Sequence, residues 1–246
     1  MANKTNASLS YIERETASNP LQAFVGSLGL FTLFIALWMS TLSTAYAQSD
    51  TAYAQSDTDR KTLHLVALGD SLTAGYGLAP QDGFTAQLQT ALAARGHKVK
   101  VHNGGVSGDT STGGLARLDW VIGPETDAVI VELGANDMLR GISPNVTETN
   151  LHQIIETLNA KGLQVMLAGM LAAPNLGPAY EAQFNRLYPQ LAKKFGLVFY
   201  PFFLDGVAGN PKLNLEDRIH PNRDGIAVIV KNILPSVERL LARIKS

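Results

Sequence analysis

The stretch GDSLTAGYG, Gly69 to Gly77, follows directly on the apolar run Leu63 to Leu68. A serine beside an acid, flanked by glycines at the mouth of a strand, is either a turn residue or a nucleophile. A serine hydroxyl attacks poorly unless a base removes its proton. Histidine suits that task, because its pKa lies near neutrality. The chain holds 5 histidines. His64 falls inside an expected strand, His97 in a turn, His102 at a strand end and His152 within a helix, and each reads as structural or solvated. His220 differs. It follows Asp217 by three positions and precedes Pro221. That spacing lets the carboxylate curl back to the imidazole and fix its tautomer, although D-x-x-H alone carries little weight.

Acyl transfer places negative charge on a carbonyl oxygen, and preorganised donors must meet it. The Ser71 backbone N–H is one candidate donor. Gly108, in VSGDT, presents a backbone N–H with no Cβ in the way. Asn136, in GANDM, offers a side-chain amide. Each also has an ordinary reading, Gly108 as a turn glycine and Asn136 as an Asx turn. The apolar residues Met138, Leu139, Ile142, Leu171 and Leu176 would line an acyl groove or simply pack the rim.

These residues need elements to position them. Apolar runs at 62–68, 99–103, 128–133, 164–170 and 197–203 read as strands. Between and after them, 84–96, 113–121, 145–162, 179–196 and 223–246 read as helices, with Pro189 a kink or interruption in the fourth. In the last helix, Ile229, Ile233, Val237, Leu240 and Ile244 form a core-facing stripe. Such alternation predicts an α/β fold with a mostly parallel sheet and helices on both faces. Ligands bind beyond the carboxyl ends of the strands in such sheets. Ser71, Gly108, Asn136 and the Asp217–His220 segment all follow strand ends.

Composition excludes several classes. The 20 Lys and Arg balance 21 Asp and Glu, which argues against nucleic acid as the main partner. There is no cysteine, so thiolate metal sites, disulfides and cysteine nucleophiles are excluded. No histidine pair has metal-ligand spacing such as H-E-x-x-H. The G-x-S-x-G elbow of α/β-hydrolases is absent, as are the Gly-rich phosphate loops.

The N-terminus reads separately. Leu21–Met39 is an uncharged run, followed by small-x-small sites at Ala45–Ala47 and Ala52–Ala54. These features predict a signal peptide over 1–47, cut after Ala47, with an uncleaved membrane anchor as the alternative. TAYAQSD occurs twice in tandem, at Thr44–Asp50 and Thr51–Asp57, and marks a linker over 48–61. The expected domain spans 62–246.

GDSLTAGYG, SGDTSTGGLARLDW, GANDMLRG and DRIHPNRDG together resemble the four blocks of the GDSL, or SGNH, hydrolases, nearest to the periplasmic arylesterase and thioesterase/lysophospholipase branch. The similarity runs across nearly the whole expected domain. It implies a flavodoxin-like three-layer α/β/α fold with no metal or cofactor. It implies Ser71 as nucleophile, His220 as general base and then acid, and Asp217 as the residue that orients His220. The Ser71 N–H, the Gly108 N–H and the Asn136 side chain would form the oxyanion hole. The segment after Asn136, through MLRGISP, resembles the family's mobile substrate-side loop. Ala135 departs from the glycine found in many relatives. The expected substrates are small acyl esters, thioesters or lysophospholipids. Carbohydrate O-deacetylation and acyl transfer would suit the same residues, whereas a non-catalytic binding module would be expected to lack Ser71 or His220.

Overall fold

The computed structural model describes residues 61–244. The expected signal peptide, its cleavage site and the tandem repeat lie outside the described residues. Among the described residues, five strands form one sheet: β1 (Leu63–Gly69), β2 (Val99–Gly105), β3 (Ala128–Glu132), β4 (Gln164–Ala168) and β5 (Val198–Tyr200). Their order is β2-β1-β3-β4-β5 and every pairing is parallel. Strands covered on both faces read as continuous apolar runs, and in β3 all 5 residues are buried. The edge strand β2 carries the polar Lys100, His102 and Asn103 instead.

Eight helices connect and cover the strands among the described residues. They are α1 (Ser71–Ala74), α2 (Phe84–Ala94), α3 (Ser111–Ala116), α4 (Leu118–Val121), α5 (Ala135–Leu139), α6 (Pro144–Ala160), α7 (Pro178–Phe195) and α8 (Arg223–Leu241). On one face α2 packs against α8, and on the other α6 packs against α3 and α7. This is the three-layer α/β/α arrangement, with the core between the sheet and each helical layer. Ile229, Ile233, Val237 and Leu240 on α8 are fully buried, while Ile244, beyond the helix end, is only partly so. No described helix is long and apolar enough to cross a membrane.

The structure corrects several boundaries. The expected helix over 113–121 is two short helices, broken at Arg117 (φ −103°, ψ 7°). Arg117 turns back there, and its guanidinium donates to the carbonyls of Gly104 and Gly69. The last strand is 198–200 rather than 197–203, because Pro201 has no N–H to continue the ladder. Phe203 N–H instead returns to Gly169 O at 2.8 Å. Pro189 does not interrupt α7, where buried Leu187, Tyr188, Leu191 and Ala192 hold the helix in place on both sides of it. The last helix stops at Leu241.

Candidate active site

β1 delivers the chain to Asp70, which is completely buried and caps α1 by accepting the Leu72 N–H at 3.0 Å. Ser71 is therefore the first residue of a one-turn helix, closed by Gly75 in the left-handed region (φ 82°). The turn is tight: a Cβ on Gly69 would stand 2.1 Å from Thr73 Oγ1. Gly69 lies opposite Glu132 of β3. The chain runs from β1 to β2 on one side and takes up β3 on the other, so Ser71 sits at the topological switch point of the sheet.

His220 Nε2 lies 2.9 Å from Ser71 Oγ, and His220 Nδ1 lies 2.6 Å from Asp217 Oδ2. The other Asp217 oxygen accepts the N–H groups of Ile219 (2.9 Å) and His220 (3.0 Å). To close this turn, Arg218 adopts φ 61°, the left-handed conformation rare outside glycine. The bonds from the His220 backbone N–H, the His220 ring and the Ile219 N–H hold the Asp217 carboxyl down at about 2. Its carboxylate only accepts, so Nδ1 carries the proton and Nε2 turns its lone pair to the serine hydroxyl. The turn is pinned to the fold by the Leu215 N–H donating to His220 O at 2.7 Å and by Asn222, which caps α8. Tyr76 covers one face of the imidazole, with ring centroids 4.4 Å apart.

The other four histidines are engaged elsewhere. His64 and His102 bond each other at 3.0 Å, His97 meets Glu238 and His152 meets Lys194. Sequence spacing thus singled out the one imidazole that reaches Ser71.

Asn136 lies in α5 rather than in a loop, and it makes no local Asx turn: Nδ2 reaches across to Asp70 Oδ2 at 3.0 Å. Gly108 adopts φ 85°, which a glycine takes without strain. Arg140 Nη2 donates to Gly108 O at 2.6 Å, tying this loop to the end of α5. Among the described residues, neither the Ser71 nor the Gly108 N–H donates to a protein acceptor. A serine poised on a base, with unspent N–H donors beside it, can attack a carbonyl and stabilise the resulting oxyanion.

Acids absent from the sequence reading build the floor of this site. Asp137 is fully buried, accepting from the Ser111 N–H (2.7 Å) and Oγ and from Thr147 Oγ1 (3.1 Å), which locks α5 to α3 and α6. Arg117 joins the ends of β1 and β2 and pairs with Asp109, next to Gly108. Glu132, almost fully buried, accepts from Thr73 Oγ1 at 2.8 Å, and its Oε1 has no partner. A sequence signal existed for Glu132, a lone acid in an otherwise apolar strand.

The apolar candidates divide. Met138 packs into the core at 8% exposure, which favours the packing alternative for it over the groove, while Leu139 is 55% exposed and Leu171 43%. Ile142 and Leu176 are partly buried. The Tyr180 hydroxyl donates to Ile142 O at 2.8 Å, so the MLRGISP segment is tied by both Arg140 and Ile142.

Gly134 starts α5 at φ 114°, and a Cβ there would lie 2.1 Å from the Tyr188 hydroxyl. That hydroxyl donates to Leu133 O at 3.0 Å and is completely enclosed. Gly134→Ala is expected to lower stability by roughly 2–4 kcal/mol, from overlap and left-handed strain together. Thermal melting checks this, and an unchanged midpoint would contradict the tight packing.

Known proteins resemble this chain over most of the described domain. Residues 67–228 match the model of the GDSL-like lipase/acylhydrolase family. The chain is 39% identical over 178 residues to the esterase TesA of Pseudomonas aeruginosa, covering 72% of this chain and 89% of that one. It is 40% identical over 161 residues to thioesterase 1/protease 1/lysophospholipase L1 of Escherichia coli K12, covering 65% and 76%. A crystal structure of TesA superposes with a TM-score of 0.69 at 38% identity, covering 72% of this chain and 99% of that one. With the family model spanning both Ser71 and His220, the chain belongs to the GDSL-like lipase/acylhydrolase family and is a hydrolase of ester bonds.

Proposed function

We propose that this enzyme is exported and hydrolyses aryl esters, acyl thioesters and lysophospholipids through an acyl-serine intermediate. One observation carries the reading: the continuous chain Ser71 Oγ, His220 Nε2, His220 Nδ1, Asp217 Oδ2 at 2.9 and 2.6 Å. His220 takes the Ser71 proton as Oγ attacks the carbonyl carbon. The carbonyl oxygen gains the charge and is met by the Ser71 N–H, the Gly108 N–H and the Asn136 amide. His220 then delivers its proton to the leaving oxygen or sulfur. Water repeats the sequence on the acyl-serine, with His220 again as base. The exposed Leu139 and Leu171 and the half-buried Ile142 offer apolar surface to the acyl chain. Support for the substrate range comes from the esterase and thioesterase/lysophospholipase relatives, and support for export from the N-terminal run and its A-x-A site.

Intact-mass measurement of protein from the exported fraction, treated with an organophosphonate, tests the whole reading. The expected product is a chain beginning at Gln48 that carries one adduct, on Ser71. No adduct on Ser71 would overturn the mechanism, and full-length chain held only in membranes would replace export with anchoring. A panel of aryl acetates, acyl thioesters and lysophospholipids then ranks the substrates.

A further inference from the structure

Asp70 takes no part in the steps above, yet it is the buried group through which they are assembled. Its Oδ1 holds the helix turn that carries Ser71, and its Oδ2 holds Asn136 Nδ2, each at 3.0 Å. An ionised carboxylate only accepts. It therefore admits only the amino end of the Asn136 amide, with the carbonyl end turned away. One N–H is spent on Asp70, and the other remains fixed as a donor. A protonated Asp70 imposes no such choice. Its O–H can donate to the amide carbonyl, so the amide is free to turn over and present oxygen to the developing oxyanion, where it repels.

We propose that Asp70 is a positioning residue whose carboxylate orients the Asn136 amide for the reaction, and that protonating Asp70 disarms the site independently of His220. This rests on the acyl-serine reading above and adds a second proton-dependent element to it.

The surroundings favour such a switch. Glu132 faces Asp70 from β3, His220 from the Asp217 turn, Asp109 with its partner Arg117 from the loops around β2, and Tyr188 from α7. Burial pushes the Asp70 carboxyl up to about 6, although the bonds from Leu72 and Asn136 and the His220 charge favour its ionised form. Burial first, and then the Asp70 charge, hold the Glu132 carboxyl well above its ordinary range. The pair thus favours the negative charge on Asp70, where the Leu72 and Asn136 bonds meet it, over Glu132. The sign for stability is opposite to that for activity. A carboxyl whose folded pKa is raised contributes fully below its unfolded value near 3.9, and that contribution is lost as pH rises through about 6. The enzyme is therefore less stable, and better armed, above that pH.

The test is a double-mutant cycle read across pH with an aryl acetate under conditions where acylation limits. Asp217 stays ionised down to about 2, so it does not contribute to the acid limb in the working range. For the wild type, kcat/KM is expected to approach a 100-fold fall per pH unit below both ionisations, the mark of two protons. Asp70→Asn is expected to lower kcat by about 10–100-fold, a part of the loss from deleting one oxyanion donor, with KM nearly unchanged. Its acid limb should fall only about tenfold per unit. In an Asn136→Ala background, Asp70→Asn should have no further effect, because the amide it orients is gone. A one-proton limb in the wild type would overturn the proposal even if Asp70→Asn failed to fold. So would equal losses from Asp70→Asn in both backgrounds, which would place Asp70's effect elsewhere. Loss of the organophosphonate adduct on Ser71 in the wild type would instead defeat the underlying mechanism, and the two failures are separately visible.

Discussion

Replacing Ser71 by alanine is expected to lower kcat by about 10⁶-fold while leaving the fold and substrate binding nearly intact. The size follows from how the residues act. Among the described residues, the Ser71 hydroxyl is the group bonded to His220 Nε2, at 2.9 Å, and on the proposed mechanism no acyl-enzyme forms without it. His220→Ala is expected to cost about as much, because an unactivated serine hydroxyl is a poor nucleophile. The double variant should be no worse than either single one, since nucleophile and base work as a unit. The residual rate over water belongs to the oxyanion donors and to binding. Single-turnover kinetics beside thermal melts provide the check. Ser71 is partly accessible and its side chain fills no core space, so the melting midpoint should barely move. A Ser71→Ala protein with more than about a thousandth of wild-type activity would remove serine chemistry from the reaction.

The sequence was most legible where chemistry is encoded by spacing and strand ends. Apolar runs marked all five strands, because strands covered on both faces need little else, and glycines marked the turns that follow them. Asp217 and His220 were legible because a spacing of three positions between acid and base spans one turn. The two short helices that bear Ser71 and Asn136 were not legible. Four or five residues carry no usable periodicity, and the first helix is held by its Asp70 cap and the second by the buried Asp137 rather than by propensity. Asp70 illustrates the limit. In the sequence it is one acid in a glycine-rich turn, indistinguishable from an ordinary cap. Only the parallel pairing of β1 with β3 brings its second oxygen to Asn136, more than sixty residues away. Glu132 and Asp137 are similar, since a buried acid is informative only once its partners are known. Met138 was left between groove and packing for the converse reason. Hydrophobicity alone does not say which side of a short helix faces the core.

Asn136→Ala is expected to lower kcat by about 10²–10³-fold, equivalent to roughly 3–4 kcal/mol of lost transition-state stabilisation. The amide's bond to Asp70 leaves it one free N–H, and that bond fixes its direction before substrate arrives. Substrate binding should change little, because the full charge on oxygen exists only in the transition state. A separate cost to stability is also expected, and its pH dependence identifies its source. Removing the amide strips a hydrogen bond from a buried carboxylate, a loss of about 1–3 kcal/mol. It also removes one of the bonds that favour the ionised Asp70, so the folded pKa rises further above about 6. The variant's melting deficit should therefore be smallest near pH 5, where Asp70 is protonated, and should grow as pH rises toward 8. Asn136→Asp should be worse in both respects, since a second carboxylate would face Asp70 and offer no donor to the oxyanion. Acylation of Ser71, measured before steady state and well below the melting transition, separates the two costs. A folded Asn136→Ala enzyme that acylates at nearly the wild-type rate would leave Asn136 as a partner of Asp70 alone, with the Ser71 and Gly108 N–H groups carrying the oxyanion.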